Sequence, residues 1–133
     1  MAQTVTRNCF SGSTNGRPIQ ITSTSGASPT LIHTAVSGAT NFDKIWLWAN
    51  VQEISYTSTP SSNRLTELNW FFGGFDASGA LGSWQTTGLM PNSGPVLLIP
   101  GLILNNSQPV NCFNEVADQA VVVYGYVEEI RSV

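Results

Sequence analysis

Apolar side chains recur along this chain with a period of two, most clearly at residues 44–51. In Lys44-Ile45-Trp46-Leu47-Trp48-Ala49-Asn50-Val51, one side carries Ile45, Leu47, Ala49 and Val51 and the other carries Trp46 and Trp48. A strand separates residues in this way and a helix does not. Both sides are apolar, so the strand is expected to be covered twice: by the core, and by a second layer, a ligand or another subunit. Residues 119–130 form the longest run, with Val121, Val123, Gly125 and Val127 alternating with Val122, Tyr124, Tyr126 and Glu128. Further strands are predicted at residues 17–24, 28–36, 64–75, 95–104 and 110–113. Gly73-Gly74 suggests a bulge or break, and Pro100-Gly101 a bent strand or an edge position.

Clusters of Gly, Pro, Asn and Ser separate these runs, as at Asn15-Gly16, Ser37-Gly38 and residues 105–108. Seven or eight strands at this spacing predict an all-β, antiparallel sandwich or barrel. Residues 114–119 offer at most a helical turn, so a parallel sheet with helical crossovers is excluded. Asn8-Cys9-Phe10 and Asn111-Cys112-Phe113 share a tripeptide too short to count as a repeat. Residues 1–16 contain almost nothing to bury. They are expected to form a polar N-terminal arm, with residues 17–133 as one β-sandwich domain.

Composition narrows the partners. Of 133 residues only 13 are charged, 5 basic and 8 acidic, well below the roughly one quarter of a typical domain. Neutral polar residues replace them: 15 Ser, 13 Thr, 11 Asn and 6 Gln. A net charge of −3 with a single lysine, Lys44, argues against nucleic-acid binding through phosphate. No apolar run is long enough to span a membrane. The chain begins with Met and its start lacks an apolar signal core, which predicts a cytoplasmic product without a pre-sequence. In that compartment Cys9 and Cys112 are expected as free thiols, although a bridge between them stays open.

Candidate chemistry is sparse. His33 is the one histidine, and no Gly-x-Ser-x-Gly elbow accompanies it. A histidine hydrogen-bonded on a strand outweighs a catalytic one, because catalysis needs a positioned constellation. One His and two distant Cys are poor material for zinc. A glycosidase would need two of the carboxylates Asp43, Glu53, Glu67, Asp76, Glu115, Asp118, Glu128 and Glu129 to face one another, but Glu115, Asp118, Glu128 and Glu129 sit near apparent strand ends, where solvated charges normally sit. Asp76-Ala77-Ser78-Gly79 opens like a calcium loop but lacks the later acidic ligands. These readings point to a protein that is not an enzyme and uses no cofactor or metal.

The aromatic residues carry more information. Trp46 and Trp48 stand opposite the Ile45–Leu47–Ala49 row, and one of the two rows must face something other than a two-layer core. Packing against a subunit or second layer is favoured over sugar stacking, since Trp is enriched in interfaces. The Tyr124–Tyr126 row is a second candidate contact. The competing reading is a carbohydrate-binding module or adhesin that uses Trp84, Tyr56 and loop Asn or Asp groups.

Two blocks, Leu31-Ile32-His33-Thr34-Ala35-Val36-Ser37-Gly38 and Asp43-Lys44-Ile45-Trp46-Leu47-Trp48-Ala49-Asn50, resemble small all-β structural proteins of tailed bacteriophage virions. These are of the head decoration (cement) or spike-base type. The runs Val96-Leu97-Leu98-Ile99-Pro100-Gly101-Leu102-Ile103-Leu104-Asn105-Asn106 and Val121-Val122-Val123-Tyr124-Gly125-Tyr126-Val127 share the resemblance. It covers roughly residues 28–130 and is least at residues 55–94. It implies a jelly-roll-like sandwich, a homo-oligomer with a trimer favoured, attachment to the major capsid protein or another shell subunit, and a place in the virion. No catalytic residue is carried over. Trp46, Trp48, Tyr124 and Tyr126 become candidate subunit or shell contacts. Thr4, Val5, Arg7 and Phe10 join them, as part of an arm lying on the shell.

Overall fold

The structure, a computed structural model, describes residues 2–25, 28–53, 66–72, 84–89, 94–114 and 119–132. All regular structure among them is antiparallel β: β1 (Gln3–Asn8), β2 (Ile19–Gln20), β3 (Thr30–Thr34), β4 (Phe42–Glu53), β5 (Thr66–Phe72), β6 (Trp84–Leu89), β7 (Val96–Leu104), β8 (Pro109–Asn114) and β9 (Gln119–Ser132). They form two sheets in a sandwich-like arrangement. The front sheet runs β1-β9-β4-β7, with β2 also paired to β9, and the back sheet runs β3-β8-β5-β6. The pairs nest: β1 and β2 with β9, β3 with β8, β4 with β7, β5 with β6.

The expected periods hold where both sides of a strand differ. Ile45, Leu47, Ala49 and Val51 of β4 and Val121, Val123 and Val127 of β9 are buried, and they meet Ile32, Leu68, Trp70, Val110 and Cys112 of the back sheet. Burial of such side chains contributes roughly 1.5–3 kcal/mol each. Residues 17–24 give only the short β2, followed by Ile21 N–H donating to Val121 O at 2.8 Å. Ser23 O then accepts from Asn114 N–H at 2.9 Å, so the chain crosses from the front sheet to the back one between Ile21 and Ser23. The expected helical turn at residues 114–119 and the Gly73-Gly74 break fall largely outside the described residues.

β7 departs from a period of two. Its register against β4 shifts twice, pairing Trp48 with Leu97, Leu47 with Ile99, Trp46 with Pro100, and Ile45 with Leu102. Leu98 and Gly101 are the extra residues, and Gly101 has φ +92°. Pro100 is tolerated because β7 is an edge strand whose outer N–H groups need no partner. A Cβ on Gly101 would lie 2.9 Å from Lys44 Cε and 3.5 Å from Trp46 Cζ2, so the glycine leaves room for both side chains.

Residues 1–16 are not an arm lying apart from the domain, and here the sequence expectation is corrected. Residues 3–8 are β1, in unbroken register with β9 from Gln3–Ser132 to Asn8–Val127. All six are exposed. An edge strand with water on both sides needs no apolar row, so it leaves no periodic signal. Phe10 then turns inward and is only 2% exposed. Its ring lies beneath Gly125, where an added Cβ would come within 3.1 Å of Phe10 Cζ and 2.0 Å of Trp46 O. Gly125 thus leaves a gap in the apolar row of β9, and Phe10 fills it.

Candidate functional site

The strands that bury one row present the other outward. Trp46 and Trp48 on β4 alternate with core residues, as do Tyr124 and Tyr126 on β9, and antiparallel register sets Trp46 opposite Tyr126 and Trp48 opposite Tyr124. The four rings form one ladder. Centroids are 6.4 Å apart for Trp46–Tyr126 and for Trp48–Tyr124, and 6.2 Å for Trp48–Tyr126. Such cross-strand aromatic pairs stabilise a sheet by roughly 0.2–1 kcal/mol each. All four rings stay half-buried, and no described element covers them. The core covers the Ile45–Leu47–Ala49 side of β4, and among the described residues no element covers its tryptophan row. Complete burial belongs to the back sheet, where Asn111, Cys112 and Phe113 are consecutive and all buried.

One end of the ladder is ionic. Arg7 of β1 lies over the Tyr126 ring at 5.5 Å, and Lys44 Nζ over the Trp46 ring at 5.3 Å. Trp46 Nε1–H donates to Glu128 Oε1 at 3.0 Å, and Arg7 Nε lies 3.8 Å from Glu128 Oε2. The Arg7 side chain is 74% exposed, so that ion pair contributes little to stability. The other end is apolar: Trp48 pairs with Tyr124 on one side and on the other with Leu97 of β7, which is 41% exposed. Val5 extends the face across β1 opposite Ile130 and is 58% exposed.

The candidate contacts therefore divide. Trp46, Trp48, Tyr124, Tyr126, Arg7 and Val5 share the front face, and Thr4 falls on the alternate face of β1. Phe10 is corrected from a contact to a core residue, because its ring is needed under Gly125. Sequence reasoning set Glu128 on the row of Tyr124 and Tyr126 but named neither it nor Lys44 as a contact. Their even numbering beside Trp46 and Tyr126 was the available signal. Tyr56 lies outside the described residues, and Trp84 opens β6 opposite Phe71.

His33 belongs to a second cluster. It is 5% exposed, its Nδ1 accepts from Ser11 N–H at 3.0 Å, and its Nε2 lies 2.7 Å from Asp43 Oδ2. An Nδ1 that accepts leaves the proton on Nε2, which donates to Asp43. Asp43 Oδ2 also accepts from Val36 N–H at 3.0 Å, and Ser11 Oγ accepts from Thr34 N–H at 2.8 Å. Ser, His and Asp converge here, but both imidazole nitrogens are engaged and the serine meets the ring through its backbone. No nitrogen is left to take a proton from a nucleophile, as a Ser-His-Asp system requires. The cluster fastens the segment after β1 to β3 and β4.

Among the described residues no three His, Cys, Asp or Glu side chains gather as a metal site. Cys9 and Cys112 are both free, Cys9 exposed and Cys112 buried, and burial pushes the Cys112 thiol well above its ordinary value. No described helix is long and apolar enough to cross a membrane. Comparison with protein-family models, with curated proteins and with solved structures finds no match.

Proposed function

We propose that this chain is a virion structural protein, a decoration or cement subunit that binds the assembled shell of a tailed phage through the front face of β9 and β4. The observation that carries this reading is the open aromatic ladder. Trp, Tyr and Arg are the residues that dominate protein interfaces, and charge is depleted from interface centres. Here four such rings occupy the middle of a sheet, with the charged groups Arg7, Lys44 and Glu128 at one end. An open sheet face suits another protein surface better than it encloses a small ligand. Arg7 and Lys44 also take up one side of the Tyr126 and Trp46 rings, where a sugar would stack.

The strand order supports the finer fold. Four nested antiparallel pairs are what a long hairpin rolled into two sheets produces, which is the plan of a jelly roll. Jelly rolls serve in viral capsids and in lectins, so the fold alone does not choose between these uses. The test is incorporation. The protein is expected in purified particles at a copy number comparable to the main shell protein, and Trp48→Ala is expected to reduce its retention at least tenfold. Absence from washed particles, together with hits on a glycan array, would instead select the carbohydrate-binding reading.

A further inference from the structure

Alternate residues of an edge strand aim N–H and C=O groups away from the sheet, ready to pair with another chain, and folded proteins normally guard such edges. Two edges of this molecule are guarded. On the front sheet, β7 carries two register shifts and Pro100, which has no N–H to offer. On the back sheet, the edge of β3 is occupied by the chain itself: Gly12 N–H donates to Ile32 O at 2.9 Å, and Ser11 Oγ accepts from Thr34 N–H. β1 has none of these devices. It pairs with β9 through six successive residues without a shift, holds no proline or lysine, and is exposed throughout. Near its middle stands Val5, whose 58% exposure is greater than that of Leu31, Val96, Leu97 or Ile103.

We propose that β1 pairs antiparallel with β1 of a second copy of this chain, about a two-fold axis at Val5. Two identical strands can lie side by side and antiparallel only about an axis perpendicular to the sheet, so outward residues meet outward residues. With the axis at Val5, Val5 meets Val5 of the copy, Thr4 meets Thr6, and Arg7 meets Gln3. Apolar joins apolar, hydroxyl joins hydroxyl, and the one charge of the strand faces a neutral amide. Moving the axis by one residue, to Thr6, would instead set each Val5 against an arginine. The five-stranded front sheet becomes a ten-stranded one, and the two aromatic ladders lie on a single continuous face. A six-residue edge is short beside a standard interface of ~1,600 Å². The dimer is therefore weak and concentration-dependent. This inference stands apart from the shell reading, and it replaces the trimer implied by resemblance with a two-fold pair.

Sedimentation equilibrium of the full chain tests it. From roughly 10 μM to 1 mM, a range suited to weak affinities, the mass is expected to rise from one chain of 14.3 kDa toward two. Val5→Lys and Val5→Glu each set like charges across the axis, and each is expected to stay at one chain. An equimolar mixture of the two is expected to regain the dimer. Leu31→Lys, an exposed position on β3, is expected to dimerise as wild type does. Thermal melts matched to wild type establish that each variant is folded. A wild-type chain that stays monomeric at 1 mM, a particle of three chains, single variants that still dimerise, or a folded mixture that does not would each overturn the proposal.

Discussion

Phe10 and Gly125 act as one unit. The glycine lets Trp46 O approach the β9 backbone and leaves a space that the Phe10 ring occupies. Phe10→Ala is expected to lower unfolding free energy by about 3–5 kcal/mol, the usual cost of emptying a buried aromatic site, measured by urea denaturation. Gly125→Ala is expected to cost at least as much, because its Cβ would meet backbone rather than a side chain that can swing away. His33 gives a second residue-scale expectation. His33→Phe keeps a ring but strands Ser11 N–H and the buried Asp43, with a loss of about 2 kcal/mol or more.

Cys112 gives a pH dependence of definite sign. Burial raises its thiol in the folded state, so the unfolded chain releases that proton first as pH rises. Its contribution is therefore whole below the ordinary thiol value and is lost above about pH 9. A stability-against-pH series should fall more steeply in that alkaline range for the wild type than for Cys112→Ala. Equal slopes would remove burial of this thiol as the cause.

Among the elements, β1 separates what the pattern of residues discloses from what it conceals. β4 and β9 bury one side only, so their alternation is plain in the order of amino acids, and their register follows from it. β1 buries neither side and its composition reads as loop; only the six-residue pairing with β9 gives it a shape. β7 was legible as an apolar run with a bend or edge position at Pro100-Gly101, but its second register shift, at Leu98, was not. The front face was half legible. The four aromatic residues announced themselves, while Arg7, named only through the resemblance, is brought to them by the pairing of β1 with β9. Removal of residues 1–8 is expected to expose one side of β9 yet leave Phe10 in place, whereas removal of residues 1–12 also deletes the core ring. The shorter deletion should retain a cooperative melt at reduced temperature, and the longer one should lose it in differential scanning calorimetry.

At the scale of the whole molecule, scarce charge and an open aromatic face describe one surface. With a net charge of −3 and a single lysine, the molecule has little electrostatic repulsion to keep it dispersed. Solubility is expected to pass through a sharp minimum near the isoelectric point of about 4.8, as turbidity against pH would register. Exchanging Trp48 for Ala should make that minimum shallower if the ladder supplies the attraction between molecules.

The pairing of Gln3 with Ser132 bears on how the molecule is made. A ribosome delivers β9 after β1, β2 and β4, yet β9 is the strand on which all three depend. Until β9 emerges, the front sheet has no centre. Both rows of β4, the one destined for the core and the tryptophans alike, are then without their neighbour on that side. Folding of this sheet therefore waits for β9, and a nascent chain stalled before β9 would carry an unfinished, adhesive half-molecule.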